Sequence, residues 1–218
     1  MDETGGFAQA LKIEDFWMPH LEGFFYEKFG ARYVLIGSAT AGHLAIQQVC
    51  DVVAFDVTGT RLIEVKFDER LPEMNREHGL NLYAETFSNY SYRTPGWFTK
   101  CLATDLVYCF PFFRFAVVGP LPVIRSFVMK HRDKFRETGQ ERFNQLNDPR
   151  GLLVPVRMLL DAKCVRRHSL VKHLSAALIQ EGLQRHQAQR PQAHRGAPTQ
   201  YRAQTENGAS IILSASSS

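Results

Sequence analysis

The stretch CDVVAFDVTGTRLIEVK, residues 50–66, reads as a β-hairpin. Two runs rich in β-branched and aromatic residues flank the turn signal Thr58-Gly59. With Thr58-Gly59 as a two-residue turn, Val57 pairs with Thr60, Val53 with Glu64 and Asp51 with Lys66. Directly opposed side chains share a face, and alternation keeps Glu64 and Lys66 on that face of their own strand. Asp51, Glu64 and Lys66 therefore converge on one patch, while Ile63 and Val65 turn the other way, into the core. Asp56 has the opposite parity to Asp51 and is expected to serve the turn.

Two carboxylates held together repel each other, and a hard divalent cation removes that repulsion by taking oxygen ligands. Asp51, Glu64 and the backbone carbonyl of Val65 make a ligand set for Mg²⁺ or Mn²⁺. Such an ion lowers the pKa of bound water and stabilises charge developing on a phosphate. Lys66 beside it can orient or deprotonate the attacking water, or neutralise the transition state. The plainer alternative is a solvated strand face on which Asp51 pairs with Lys66 across the hairpin.

Outward from the hairpin, near-helical spacing of Phe16, Trp17, Leu21, Phe24 and Phe25 predicts a helix over Glu14–Phe29, stopped by Gly30, with Pro19 marking the first turn of its main part. A strand is expected at Arg32–Ile36, followed by a Gly- and Ala-containing stretch without a clear assignment. Beyond Lys66, a charged loop at Asp68–His78 leads to strands at Leu80–Thr86, Asp105–Phe110 and Arg114–Val118, a Pro-initiated helix at Leu121–Phe135, a strand at Gly151–Leu160 and an amphipathic helix at Arg167–Gln184. Leu170, Leu174 and Leu178 on that helix are spaced to dock on the domain or on a partner subunit. The Gln-, Arg- and Pro-rich stretch 186–218 has little to bury and reads as a disordered tail. The order of elements predicts a single α/β (α+β) domain over residues 1–185, with a mixed central β-sheet flanked by helices.

Composition sets the bounds. A chain of 218 residues with 44% hydrophobic content and 16 Phe can build a real core. The formal charge of +4 is compatible with phosphate binding. Acidic residues are frequent up to Glu85, and Lys and Arg dominate the C-terminal part. Four dispersed cysteines without a CxxC pair exclude a zinc ribbon and a redox motif. No secretory signal or apolar bilayer span is read, so a reducing, cytoplasmic setting away from membranes is expected.

The hairpin motif resembles the core of the PD-(D/E)XK nuclease superfamily, with Asp51 matching its first acidic residue and Glu64-Val65-Lys66 its (D/E)XK half. Downstream, Asn81-Leu-Tyr-Ala-Glu85-Thr, Thr94-Pro-Gly-Trp97-Phe and Ala103-Thr-Asp105-Leu-Val-Tyr are similar to segments of stand-alone phage and bacterial members. The resemblance covers residues 14–118, and Cys50 replaces the family's Pro. It implies a restriction-endonuclease-like core and a Mg²⁺- or Mn²⁺-dependent deoxyribonuclease acting on DNA, with many relatives working as homodimers. It further implies that Glu85 is an extra metal-site carboxylate or a water-positioning group, against the alternative of an edge-strand charge. A Glu on the N-terminal helix is also implied near the metal; Glu22 and Glu14 compete for that place, and Glu22 is favoured.

The loop carrying Asn89, Tyr90, Tyr92, Arg93 and Trp97 mixes aromatic groups with a cation, which can stack on bases or meet phosphates. Arg93 and Lys100 are the phosphate candidates, and Trp97 is expected to pack the loop onto the sheet. His43 and His78 read as incidental loop histidines. The rival reading is a non-catalytic nucleic-acid-binding module that keeps the nuclease fold, and a second is a structural protein using the hairpin as scaffold.

Overall fold

The structure is a computed structural model that describes residues 13–37, 50–69, 79–139, 149–189, 201–204 and 210–213. The stretch 38–49 with His43, and His78 with most of its loop, lie outside the described residues. The chain divides into two units, residues 1–182 and 183–218. In the second, Tyr201–Gln204 and Ser210–Leu213 pair as antiparallel strands.

The first unit is built on a mixed six-stranded sheet. Its strands are β1 (Tyr33–Ile36), β2 (Val52–Phe55), β3 (Thr60–Phe67), β6 (Asp105–Phe110), β7 (Phe115–Pro120) and β10 (Arg166–Ser169), in that spatial order. All neighbours are antiparallel except β3 and β6, which run parallel. A parallel pair needs a long crossover, and here the crossover carries β4 (Asn81–Asn89), β5 (Thr94–Pro95) and the short helix α2 (Trp97–Lys100). Strand β4 does not join the central sheet. It belongs to a second, antiparallel sheet in the order β5, β4, β9 (Arg150–Pro155), β8 (Arg136–Gly139).

Side-chain alternation on β3 divides the core in two. Ile63 and Val65 face a helical layer containing Trp17, Leu21, Phe24 and Phe25, joined by Leu170 and Leu174. The other face meets the second sheet through Leu82, Ala84, Leu152 and Val154, together with Leu121, Ile124 and Val128 from helix α3 (Leu121–Lys130). The central sheet is thus covered on both faces, as expected. Leu170 and Leu174 dock on the domain itself. No helix among the described residues is long and apolar enough to cross a membrane.

Several elements differ from their sequence reading. The first helix is interrupted: residues 13–17 are helical, Met18–Leu21 form a 3₁₀ turn with Pro19 at its start, and α1 runs Glu22–Phe29. Pro19 has no N–H to offer the preceding turn, so the helix is broken there. Gly30 closes α1 with φ 61°, a left-handed cap that costs glycine little. Helix α3 stops at Lys130, followed by a 3₁₀ turn at Arg132–Lys134. The strand read through Leu160 ends at Pro155, whose fixed φ opens helix α4 (Val156–Asp161). The helix read from Arg167 starts only at Ala176, as α5 (Ala176–Gln189), because Arg166–Ser169 pair with β7. Tertiary pairing overrides local spacing there.

Candidate active site

Four side chains meet at the far end of β3. The Lys66 ammonium lies 2.8 Å from Glu64 Oε1, 3.3 Å from Asp51 Oδ2 and 3.5 Å from Glu14 Oε1. It also stands 5.8 Å from the centre of the Trp97 ring. The Lys66 side chain retains 21% exposure, so the cluster opens to solvent at one point.

The hairpin brings the first three together in a register different from the expected one. Val52 opposes Ile63 and Phe55 opposes Thr60, which is shifted two residues from the two-residue-turn pairing. Asp56 causes the shift by organising a longer turn: its N–H donates to the Gly59 carbonyl, and its carboxylate accepts from the Thr58 N–H and hydroxyl and from the Gly59 N–H. A shift of two preserves the face on which every side chain lies, whereas a shift of one would have buried Lys66. Asp51 sits just outside the regular ladder. Its N–H donates to Ile63, one residue out of step, and its carboxylate accepts from the Val65 N–H at 2.8 Å. Val65 thus holds the site through its N–H, and by alternation its carbonyl points to the same edge of β3.

The N-terminal carboxylate is Glu14, not Glu22. Glu22 is exposed in the first turn of α1, where a negative charge favours the helix dipole. The two glutamates lie on either side of the 3₁₀ turn at Met18–Leu21.

Glu85 reaches the cluster from the second sheet. Glu85 pairs with Gly151 of β9, and the pairing of β4 with β5 begins only at Phe87. Its Oε1 accepts the Trp97 N–H at 3.4 Å, and a Cβ on Gly96 would collide with the Glu85 carbonyl, so the Pro95-Gly96-Trp97 turn needs glycine. Cys101, just after α2, donates its thiol to Glu64 Oε2 at 3.1 Å. Arg125 on α3 clamps this segment, donating to the carbonyls of Phe98 at 2.5 Å and Cys101 at 2.6 Å. Lys100 is exposed and acts electrostatically on Glu85. Arg93 stands elsewhere, at the tip of the β4–β5 turn with φ 52°.

Burial raises the Glu14 carboxyl to about 6 against the pull of Lys66, with Asp51 and Glu64 adding to the rise. Burial likewise raises Asp51, opposed by Lys66 and reinforced by Glu64. Glu85 is raised by burial, opposed by the Trp97 N–H, Lys66 and Lys100. Burial alone would release the Lys66 proton, but Asp51, Glu64 and Glu14 outweigh it and hold the ammonium well above its ordinary value. Cys101 is pushed up to about 12 by burial and by the Glu64 charge, so it stays a thiol.

The arrangement is three carboxylates around one ammonium, with a fourth close by. No group of three or more His, Cys, Asp or Glu among the described residues is posed to hold a metal ion, because the carboxylates turn to Lys66. The donor set is nevertheless chemically suited to a hard cation, being all oxygen and in negative excess. No family model, curated protein or solved structure matches the chain.

Sequence reasoning passed over Cys101, Arg125 and the contact of Trp97 with Lys66. No spacing rule on the chain links positions 64, 66, 97, 101 and 125. The crossover between β3 and β6 brings Trp97 and Cys101 to β3, and helix α3, after β7, brings Arg125.

Proposed function

We propose that this chain is a divalent-metal-dependent deoxyribonuclease with its active site at Glu14, Asp51, Glu64, Lys66 and Glu85. The observation that carries the reading is the negative excess around Lys66: Glu64, Asp51 and Glu14 all lie within 3.5 Å of the one ammonium. A site of this kind favours additional positive charge. Asp51 and Glu64, with the Val65 carbonyl, would hold Mg²⁺ or Mn²⁺, and Glu14 and Glu85 lie within electrostatic reach of them. When bound, the ion supplies Lewis acidity and a more acidic water.

Each residue then has a role set by its protonation. Lys66 stays charged, which suits it to stabilise a phosphoryl oxygen and not to act as a base. Glu14, a carboxylate 3.5 Å from the Lys66 ammonium, is the group placed to accept a proton from the attacking water. Cys101 and Trp97 fix Glu64 and Lys66 from the side. DNA is the partner this reading requires, and two copies would be needed to cut both strands in one encounter. A cytoplasmic setting suits four cysteines that are joined in no disulfide among the described residues.

The deciding experiment is cleavage of a DNA panel (linear duplex, single strand, flap and four-way junction) with Mg²⁺ or Mn²⁺. Metal-dependent cutting lost in Asp51→Ala and Lys66→Ala supports the nuclease. Binding without cutting in the wild type supports the non-catalytic nucleic-acid-binding module instead.

A further inference from the structure

The tip of the β4–β5 hairpin presents an ordered aromatic and cationic surface. Tyr92 is 69% exposed and Tyr90 44% exposed, unusual for large aromatic side chains at a tight turn. The tip is held by specific contacts. Asn89 accepts the Tyr92 N–H through its side chain at 3.1 Å, and the Arg93 N–H donates to the Tyr90 carbonyl at 3.0 Å. Tyr90 is fixed between the Phe87 ring, 5.3 Å away edge-on, and the Arg150 guanidinium, 4.0 Å above it. Arg93 adopts φ 52°, a strained setting for a non-glycine residue, and is exposed beside Tyr92.

The tip is also tied to the candidate active site. Glu85 lies on the same strand, and the return leg of the hairpin runs through Thr94 and Pro95 to Trp97, which touches both Glu85 and Lys66. Four residues of strand separate Glu85 from Asn89, or roughly 13 Å, a stack of about four bases.

We infer that this tip is a nucleobase-stacking element: Tyr92, with Arg93 beside it, takes an unpaired base a few nucleotides from the site at Lys66. The inference rests on the nuclease reading and sharpens it, since an aromatic face can stack only on a base whose own face is free. Bases in a continuous duplex stack on each other, whereas those in a single strand, a flap or a splayed arm offer a face to protein. The substrate class is therefore DNA with unpaired nucleotides. Arg93 meets the phosphate of the stacked nucleotide.

The test measures binding in EDTA, where no cutting occurs, to a fluorescent single-stranded oligonucleotide and to its duplex. Tyr92→Ala is expected to weaken single-strand binding about tenfold and to leave duplex binding within twofold, with Tyr92→Trp restoring the single-strand affinity. Arg93→Ala is expected to weaken binding and reduce its salt dependence by about one counterion. Unchanged single-strand affinity in Tyr92→Ala, or no single-strand binding by the wild type, overturns the inference, as does equal loss on both DNAs. A tip used for a protein partner gives the first of these results. The two readings fail separately. Tip-dependent binding without Mg²⁺-dependent cleavage removes the nuclease, whereas cleavage of flaps that ignores Tyr92→Ala removes only the stacking element. Tyr92 is exposed at a turn, so its variants are expected to melt with the wild type, and thermal unfolding checks this.

Discussion

Glu64 and Lys66, two positions apart on one face of β3, close a 2.8 Å ion pair while Asp51 and Glu14 crowd the same ammonium. One cation thus answers three carboxylates, and the stability of the site is set by that ratio.

Removing the ammonium leaves the carboxylates facing each other. Lys66→Met is expected to lose about 3–5 kcal/mol at pH 7, the usual cost of stranding a buried charge. Millimolar Mg²⁺ or Mn²⁺ should recover part of it by binding the folded state. Thermal unfolding with and without chelator measures both effects, and a variant that melts with the wild type and ignores the ion contradicts the arrangement.

The raised Glu14 carboxyl gives stability a definite slope with pH. Its folded value of about 6 lies above its ordinary 4.5, so the folded state binds the extra proton between those values. Stability from this group is full below about 4.5 and is lost as pH rises through 6, by about 2 kcal/mol. Asp51 is shifted in the same direction. Denaturant melts at pH 4.5, 5.5 and 7 should show the fall, and Glu14→Gln should flatten it. A fall that survives in Glu14→Gln assigns the slope to other groups.

The two candidate glutamates of the N-terminal helices separate cleanly. Glu14→Gln is expected to lower metal-dependent cleavage at least tenfold, from loss of the proton acceptor. Glu22→Gln should leave cleavage within twofold and stability within about 0.5 kcal/mol, as for an exposed surface change. The reverse order would restore Glu22 to the site.

Cys101 should be chemically quiet despite its partial exposure. With its thiol pushed up to about 12, almost no thiolate exists at pH 8, and alkylation of the folded protein should run at least about a hundredfold slower than for an ordinary cysteine. Peptide-resolved mass spectrometry after brief iodoacetamide treatment follows it. Rapid labelling at Cys101 in the native protein would show that its bond to Glu64 does not form.

Arg125 makes no contact with the carboxylates, yet it fixes two carbonyls of the segment that carries Trp97 and Cys101. Arg125→Ala should cost about 1–3 kcal/mol, since two acceptors lose a charged donor. The Trp97 surroundings should loosen with it, seen as a red shift of fluorescence that Arg125→Lys corrects only in part, because lysine has no fork.

The central hairpin and its convergent triad were legible because face parity survives an error of two in register. Asp56 was read rightly as a turn residue, but its reach to Thr58 and Gly59 lengthened the turn, which no dipeptide signal announced. Glu14 and Glu22 are both plausible on spacing alone, and only the three-dimensional contact with Lys66 singles out Glu14. Gly151–Leu160 and Arg167–Gln184 show a different limit. Each splits between a strand and a helix: Pro155 ends the first strand and opens a helix, whereas pairing with β7 draws Arg166–Ser169 out of the second helix.

Glu85 takes its long-range partner, Gly151, from a strand made much later in the chain. A nascent chain halted anywhere before β9 has β3 and its charged residues but not the strand that braces Glu85, β4 having only the two-residue β5 beside it. Pairings of such sequence separation form late. A chain that ends before Arg150 therefore keeps β3 and its ion pairs yet leaves β4 without the neighbour that holds Glu85 in place.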